Sequence, residues 1–353
     1  MVILYHFIYA NAAALSYKQG KTFGYAKANP LFSWALADDF SKTTIYEENK
    51  ELAGEVLESL VSSFTTRSNN SDWLSKDGAK AIQEKTDNIT SYFYSSDKNG
   101  NFYNYDSYIK NWTNKLSKEL GASNYKSWLM AIESIKNNES ITQTYGKISD
   151  AFLANAFYMP DENTITITLG YLFSNRGDFR TYSTEELYSS LGFVMGHELT
   201  HGFDSNGSYY DKNGKKLTTS ILPEADDKIF KEKQVQVIKN YDKKECCTCE
   251  FFANDEKITI SEAMADIGGF SLVLEMAKNN NNFNYKSFFK YVAKHMTSKK
   301  SVLVTAFTYT DVHPFGKVRS NTLLSNSDKF ISTFDIKPDD AMWMAPENRV
   351  TIR

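Results

Sequence analysis

The chain has few cysteines, no long apolar run and no excess of basic charge, and each absence excludes something. Its three cysteines, Cys246, Cys247 and Cys249, sit in one short segment. Such close neighbours close only tiny loops, and an odd number leaves one unpaired, so they cannot staple a fold. A soft-metal site would need a fourth ligand and wider spacing. The segment therefore reads as an exposed loop with reduced thiols, which favours a reducing location or a secreted protein that never needed disulfides. No apolar stretch approaches the roughly 18 to 20 residues of a spanning helix, so no membrane segment is expected. Lys+Arg 40 against Asp+Glu 43 gives a net charge of -3. That near-balance argues against a nucleic-acid partner, which calls for a basic face or tail.

The first residues, Met1 to Leu15, are apolar but lack a basic start, and Tyr5, His6, Tyr9 and Asn11 interrupt them. They read as a buried amphipathic helix rather than a secretion signal. The chain as written would then be cytoplasmic, and extracytoplasmic if an amino-terminal part precedes it. With 41% hydrophobic and 24% charged residues, it has the composition of a globular protein rather than a disordered one. No internal repeat is present.

The first 145 residues read as mainly helical. Ile45 to Phe64 places Leu52, Val56, Leu57, Leu60 and Val61 at helical spacing. Trp73 to Phe93 predicts a helix capped by Asp72, and Tyr108 to Leu116 and Ser127 to Ile135 predict shorter ones. Beyond a boundary near residue 145 the pattern changes. Asn163 to Leu169 alternates polar and β-branched residues, which predicts a half-buried strand. A long helix from about Thr184 to His201 follows, then a polar, loop-rich stretch. Helices are expected near Glu262 to Lys278 and Tyr285 to His295, with the asparagine run from Asn279 as the loop between them.

The chemistry sits in Gly196-His197-Glu198-Leu199-Thr200-His201. Positions four apart share a helix face, so His197 and His201 can point imidazole nitrogens at one ion. Glu198 lies beside them, placed to take a proton from water at that ion. With only five histidines in the chain, chance gives this pattern in fewer than about 1% of such sequences. Ser183-Thr184-Glu185-Glu186 is a capping box that starts the helix, and Leu187, Leu191, Val194, Met195 and Leu199 supply its buried stripe. Catalytic zinc takes three protein ligands and leaves a position for water. The best source of the third is Ser261-Glu262-Ala263-Met264-Ala265-Asp266-Ile267-Gly268-Gly269. There Ser261 can cap a helix, and Glu262 and Asp266 lie four apart among apolar neighbours. One carboxylate can ligate the ion while the other holds a ligand imidazole.

These residues resemble the neprilysin and endothelin-converting-enzyme family of zinc metallopeptidases, in its bacterial oligopeptidase branch. Four blocks carry the resemblance: Asn155-Ala156-Phe157-Tyr158, Val194 to Asp204 around the two histidines, Glu262 to Gly269, and Asp311-Val312-His313 with Arg319 beyond it. The family implies one catalytic Zn²⁺ held by His197, His201 and Glu262, with Glu198 as general base. Asp266 would hydrogen-bond a ligand histidine, His313 would stabilise the oxyanion, Arg319 would bind a substrate carbonyl, and Asn155 and Ala156 would hold the peptide backbone. An extended peptide pairs naturally with the edge of a strand such as Asn163 to Leu169. The family pattern commonly has Asn after the ligand Glu; here Ala263 would loosen one supporting contact. The carboxyl end, Met344 to Val350, lacks the cysteine of animal members, which agrees with the bacterial branch.

The expectation is an α+β, mainly α protein. Residues 146–353 would form a zincin, thermolysin-like catalytic domain with a small edge-exposed sheet. Residues 1–145 would form a helical part, the remnant of the family's capping lobe and the lead-in to the catalytic domain. The resemblance implies an endopeptidase that cuts oligopeptides on the amino side of hydrophobic residues. The alternative, since family members are usually much longer, is a zinc-retaining, peptide-binding remnant with little turnover.

Overall fold

A computed structural model describes residues 43–93, 154–172, 178–242, 256–297, 313–314 and 316–352. In chain order the helices are α1 (Thr44–Asn69), α2 (Lys76–Thr86), α3 (Leu169–Leu172), α4 (Thr184–Leu187), α5 (Phe193–His201), α6 (Glu224–Asp242), α7 (Glu256–Lys278), α8 (Tyr285–His295), α9 (Gly316–Ser325) and α10 (Asp328–Phe334). Strands β1 (Thr90–Tyr92), β2 (Ala156–Met159) and β3 (Thr164–Ile167) form one sheet in the order β1-β3-β2. Mainly helical with a small sheet is what the sequence predicts. The expected boundary near residue 145, the helices at Met1, Tyr108 and Ser127, and the cysteine segment lie outside the described residues.

The chain divides into two compact units. Of the described residues, one takes 43–51, 91–93, 154–156, 166–172 and 178–179, and the other takes 52–90, 157–165 and those from 180 onward. In the first, the fully buried Asn49 donates to the Leu172 carbonyl at 3.1 Å and accepts from the Phe179 N–H at 3.1 Å. Both faces of its amide are thereby satisfied, which burial of a polar group requires. In the second, α7 is the central helix. Phe270 on α7 meets Phe288 and Phe289 on α8 at ring-centroid distances of 5.8 and 6.1 Å, and Phe289 meets Phe330 on α10 at 5.4 Å.

Four expectations are corrected. The helix expected from Trp73 starts later, because Ser75 rather than Asp72 caps it: the Ser75 hydroxyl accepts the Gly78 N–H at 3.0 Å. It also ends at Thr86, and Thr90–Tyr92 is a strand. The strand at Asn163 to Leu169 is not half-buried and offers no edge. β3 is the middle strand, all four of its residues are buried, and the edge positions belong to β1 and β2. The polar stretch after His201 contains the 19-residue helix α6. Its acidic first turn at Glu224, Asp226 and Asp227 complements the helix dipole, so charge that suggested a loop is the start of a helix. Ser261 is no cap, because α7 begins at Glu256 and carries Ser261 inside it.

The helix that starts at Thr184 does run on to His201, with a π turn at Tyr188–Gly192 between α4 and α5. Ser183 and Glu186 form the expected capping box, with bonds of 3.2 and 3.1 Å. The π turn has a local cause. The hydroxyls of Ser189 and Ser190 donate to the Glu186 carbonyl at 3.1 and 2.6 Å, competing with the backbone ladder at that point.

Candidate metal centre

The site is built where α5 and α7 cross. A Cβ at Gly269 would lie 2.4 Å from the His197 backbone nitrogen, so only glycine lets the two backbones approach this closely. Glu262 and Asp266 stand seven and three residues before Gly269 on α7, on the face that this crossing presents to α5. The two glycines after Asp266 are therefore part of the site, since they set the distance from which the carboxylates reach the histidines.

Around that crossing the polar atoms converge. His197 Nε2 lies 3.1 Å from Glu262 Oε2, and His201 Nε2 lies 3.0 Å from His197 Nε2 and 3.5 Å from Glu262 Oε2. His313 Nε2 approaches the same Glu262 oxygen at 3.0 Å. Behind them, His197 Nδ1 meets Asp266 Oδ1 at 2.9 Å and His201 Nδ1 meets Asp204 Oδ2 at 2.7 Å. Asp266 is fully buried and receives two further bonds, from Arg319 Nε and Nη2, each at 2.7 Å. Glu198 is buried next to His197 and interacts electrostatically with both helix histidines, Glu262 and His313.

This donor set asks for a cation. Both Nδ1 atoms face carboxylates, which only accept, so each carries its hydrogen there. A neutral imidazole then offers only a lone pair at Nε2. Two such lone pairs and a Glu262 oxygen point into one small space with no donor among them. Four ligands at the roughly 2.0–2.1 Å bond lengths of tetrahedral zinc stand about 3.3 Å apart, close to the 3.0–3.5 Å separations here. His197, Glu262 and His313 also offer ligand atoms within 4.8 Å of one another. Between His201 and His313 as third ligand, orientation favours His201. Its Nδ1 is fixed by Asp204, whereas the His313 side chain is 38% exposed.

The electrostatics agree. Burial disfavours charge on His197 and His201, yet hydrogen bonds to Asp266, Asp204 and Glu262 raise both above the ordinary histidine value, His201 by the larger margin. Burial would raise Glu262 and Asp266, but the histidines hold Glu262 well below the usual carboxylate range and Arg319 does the same for Asp266. Glu198 moves the other way. Burial outweighs the neighbouring histidines and raises its carboxyl.

Of the residues singled out in the sequence, His197, Glu198, His201, Glu262, Asp266, His313 and Arg319 come together here. Two N–H groups of Arg319 are engaged by Asp266, the carboxylate that holds His197. Asp311 and Val312 lie outside the described residues. Asn155 and Ala156 belong to the other unit, with Asn155 exposed and Ala156 opening β2. Ala263, the departure from the family pattern, is buried. Sequence reasoning gave Asp204 no role, because it lies beyond the end of α5 at His201, where helical spacing gives no signal. It also read Ser261 as a cap, whereas the Ser261 hydroxyl donates to Asp204.

A two-turn histidine helix crossed by a carboxylate-bearing helix, each imidazole backed by its own acid, defines the zincin class of metal site. The pattern of Peptidase family M13 matches residues 155–350, and the chain belongs to that family. A neutral endopeptidase of Lactococcus lactis subsp. lactis is 31% identical over 322 residues, covering 91% of this chain and 49% of the relative. Endothelin-converting enzyme 1 of Bos taurus is 25% identical over 349 residues, covering 88% and 42%. Among solved structures, PepO from Lactobacillus rhamnosis HN001 superposes with a TM-score of 0.71 at 20% identity, over 91% of this chain and 49% of that one. The chain thus spans about half the length of the curated relatives it matches.

Proposed function

We propose that this chain is a zinc endopeptidase acting on oligopeptides, with His197, His201 and Glu262 holding the metal. The observation that carries the reading is the convergence of the Nε2 atoms of His197 and His201 and a carboxylate oxygen of Glu262 on one small space, with both Nδ1 atoms held by carboxylates. Bound zinc would polarise the scissile carbonyl and make water acidic enough to serve as nucleophile near neutral pH. The protein supplies the rest. Glu198 takes the proton from the attacking water as the new C–O bond forms, and passes it to the amine as the C–N bond breaks. His313 donates a hydrogen bond to the oxyanion that develops on the carbonyl. Asp266 and Asp204 hold the two imidazoles with Nε2 forward, and Arg319 steadies Asp266 with two of its five N–H groups while another would bind a substrate carbonyl. Asn155 and Ala156, at the start of edge strand β2, would hold an extended peptide backbone by strand addition. A preference for a hydrophobic residue on the carboxyl side of the cut follows from the family likeness.

Replacing Glu198 with Gln tests the assignment. The variant should bind zinc and peptide as the parent does while turnover falls by at least about 10²-fold, the usual weight of a general base. A parent that binds peptide without cutting it, and a variant indistinguishable from it, would make this a peptide-binding site instead.

A further inference from the structure

Lys85, near the end of α2, is a buried charge outside the machinery described above. Its side chain is almost completely enclosed, and an enclosed ammonium is costly unless its hydrogens are all received. They are. Nζ donates to the carbonyl oxygens of Gly202, Gly207 and Tyr210 at 2.7, 2.7 and 2.8 Å, which matches its three N–H donors.

Those carbonyls bracket Asp204. Gly202 caps the end of α5, and Gly207 and Tyr210 lie on the turn beyond it. Asp204 grips the same turn by its other groups, accepting the N–H of Asn206 at 2.7 Å and of Gly207 at 2.8 Å through Oδ1. The Gly207 peptide is therefore held at its carbonyl by Lys85 and at its nitrogen by Asp204. The turn folds back so tightly that a Cβ at Gly207 would lie 1.9 Å from the His201 carbonyl oxygen. With Oδ1 occupied in the turn, Oδ2 is left to face His201 Nδ1. From the other side, the Lys85 carbonyl accepts the Asn163 amide at 3.1 Å, anchoring α2 to the β2–β3 turn.

We infer that Lys85 is a positioning residue for the metal centre: by holding the 202–210 turn it fixes the Asp204 carboxylate and thereby the aim of His201. The inference rests on His201 being a zinc ligand. It is tested with the full chain and its Lys85→Met, Lys85→Gln, Asp204→Asn and Lys85→Met/Asp204→Asn variants. Three quantities are measured: the fold by circular dichroism, the zinc dissociation constant by chelator competition, and the visible spectrum of the cobalt(II)-substituted protein. A folded Lys85→Met should bind zinc about tenfold more weakly or worse, the weight of other residues that orient ligands. It should change the cobalt spectrum as Asp204→Asn does, and the double variant should be no worse than Asp204→Asn alone. Unchanged zinc affinity in folded Lys85→Met would overturn the inference, as would losses that simply add in the double variant. Failure of both Lys85 variants to fold would also overturn it, because Lys85 would then hold the core rather than the site. A parent chain that binds no zinc would remove the proposed function, and the inference with it.

Discussion

Two imidazoles whose Nδ1 hydrogens are held by carboxylates present only lone pairs to each other, and His197 and His201 do so at 3.0 Å. Without metal, protons must fill that space. Hydrogen bonds to Asp266, Asp204 and Glu262 raise both histidines above the ordinary value of 6.5 despite burial. At neutral pH the metal-free site carries protons that zinc must expel, so affinity should fall as pH falls. Calorimetric titration with zinc at pH 7, in two buffers of different ionisation enthalpy, should report release of at least about one proton per ion bound. Equal heats in both buffers would show that the imidazoles are already neutral. Part of this residue-scale picture was legible in advance. The two histidines and Glu198 are fixed by helical spacing alone. His313 and Arg319 could be named only through family likeness, since their elements reach the site by tertiary folding. Asp204 was missed for a related reason: it acts from a turn, where helical spacing no longer says which way a side chain points.

At the scale of elements, the site is a product of one helix crossing. Gly269 against the His197 backbone sets the approach of α7 to α5, and Glu262 and Asp266 reach α5 because of it. Gly269→Ala places a methyl group where backbone already stands. It should cost roughly 1–3 kcal/mol of stability, the usual range for overpacking, and should weaken zinc binding by spreading the ligands apart. Chemical denaturation together with chelator competition checks both, and a variant with parental stability and zinc affinity would refute the crossing argument. The sequence showed where these two helices carry their chemistry, and both limits of the histidine helix, but misjudged where α7 starts. Ser261 looked like a cap because serine before an acidic residue usually is one. Here α7 continues back to Glu256, so the hydroxyl serves Asp204 instead. The alternation at Thr164 to Ile167 correctly indicated a strand, but alternation cannot tell an edge from a middle position, and β3 is covered on both sides by its neighbours.

At the scale of the whole molecule, the mainly helical architecture and the small sheet were legible from periodicity, and the family likeness from four short blocks. Among the described residues no helix is long and apolar enough to cross a membrane. The residues of the candidate metal centre all lie within one of the two compact units. The chain spans about half the length of its curated relatives. The decisive measurement is digestion of a mixed library of short peptides by the zinc-loaded 353-residue chain, with and without a zinc chelator, read by mass spectrometry. The account predicts cutting on the amino side of hydrophobic residues that stops when the chelator is added. Zinc bound stoichiometrically with no peptide cut, or cutting that survives the chelator, would contradict it.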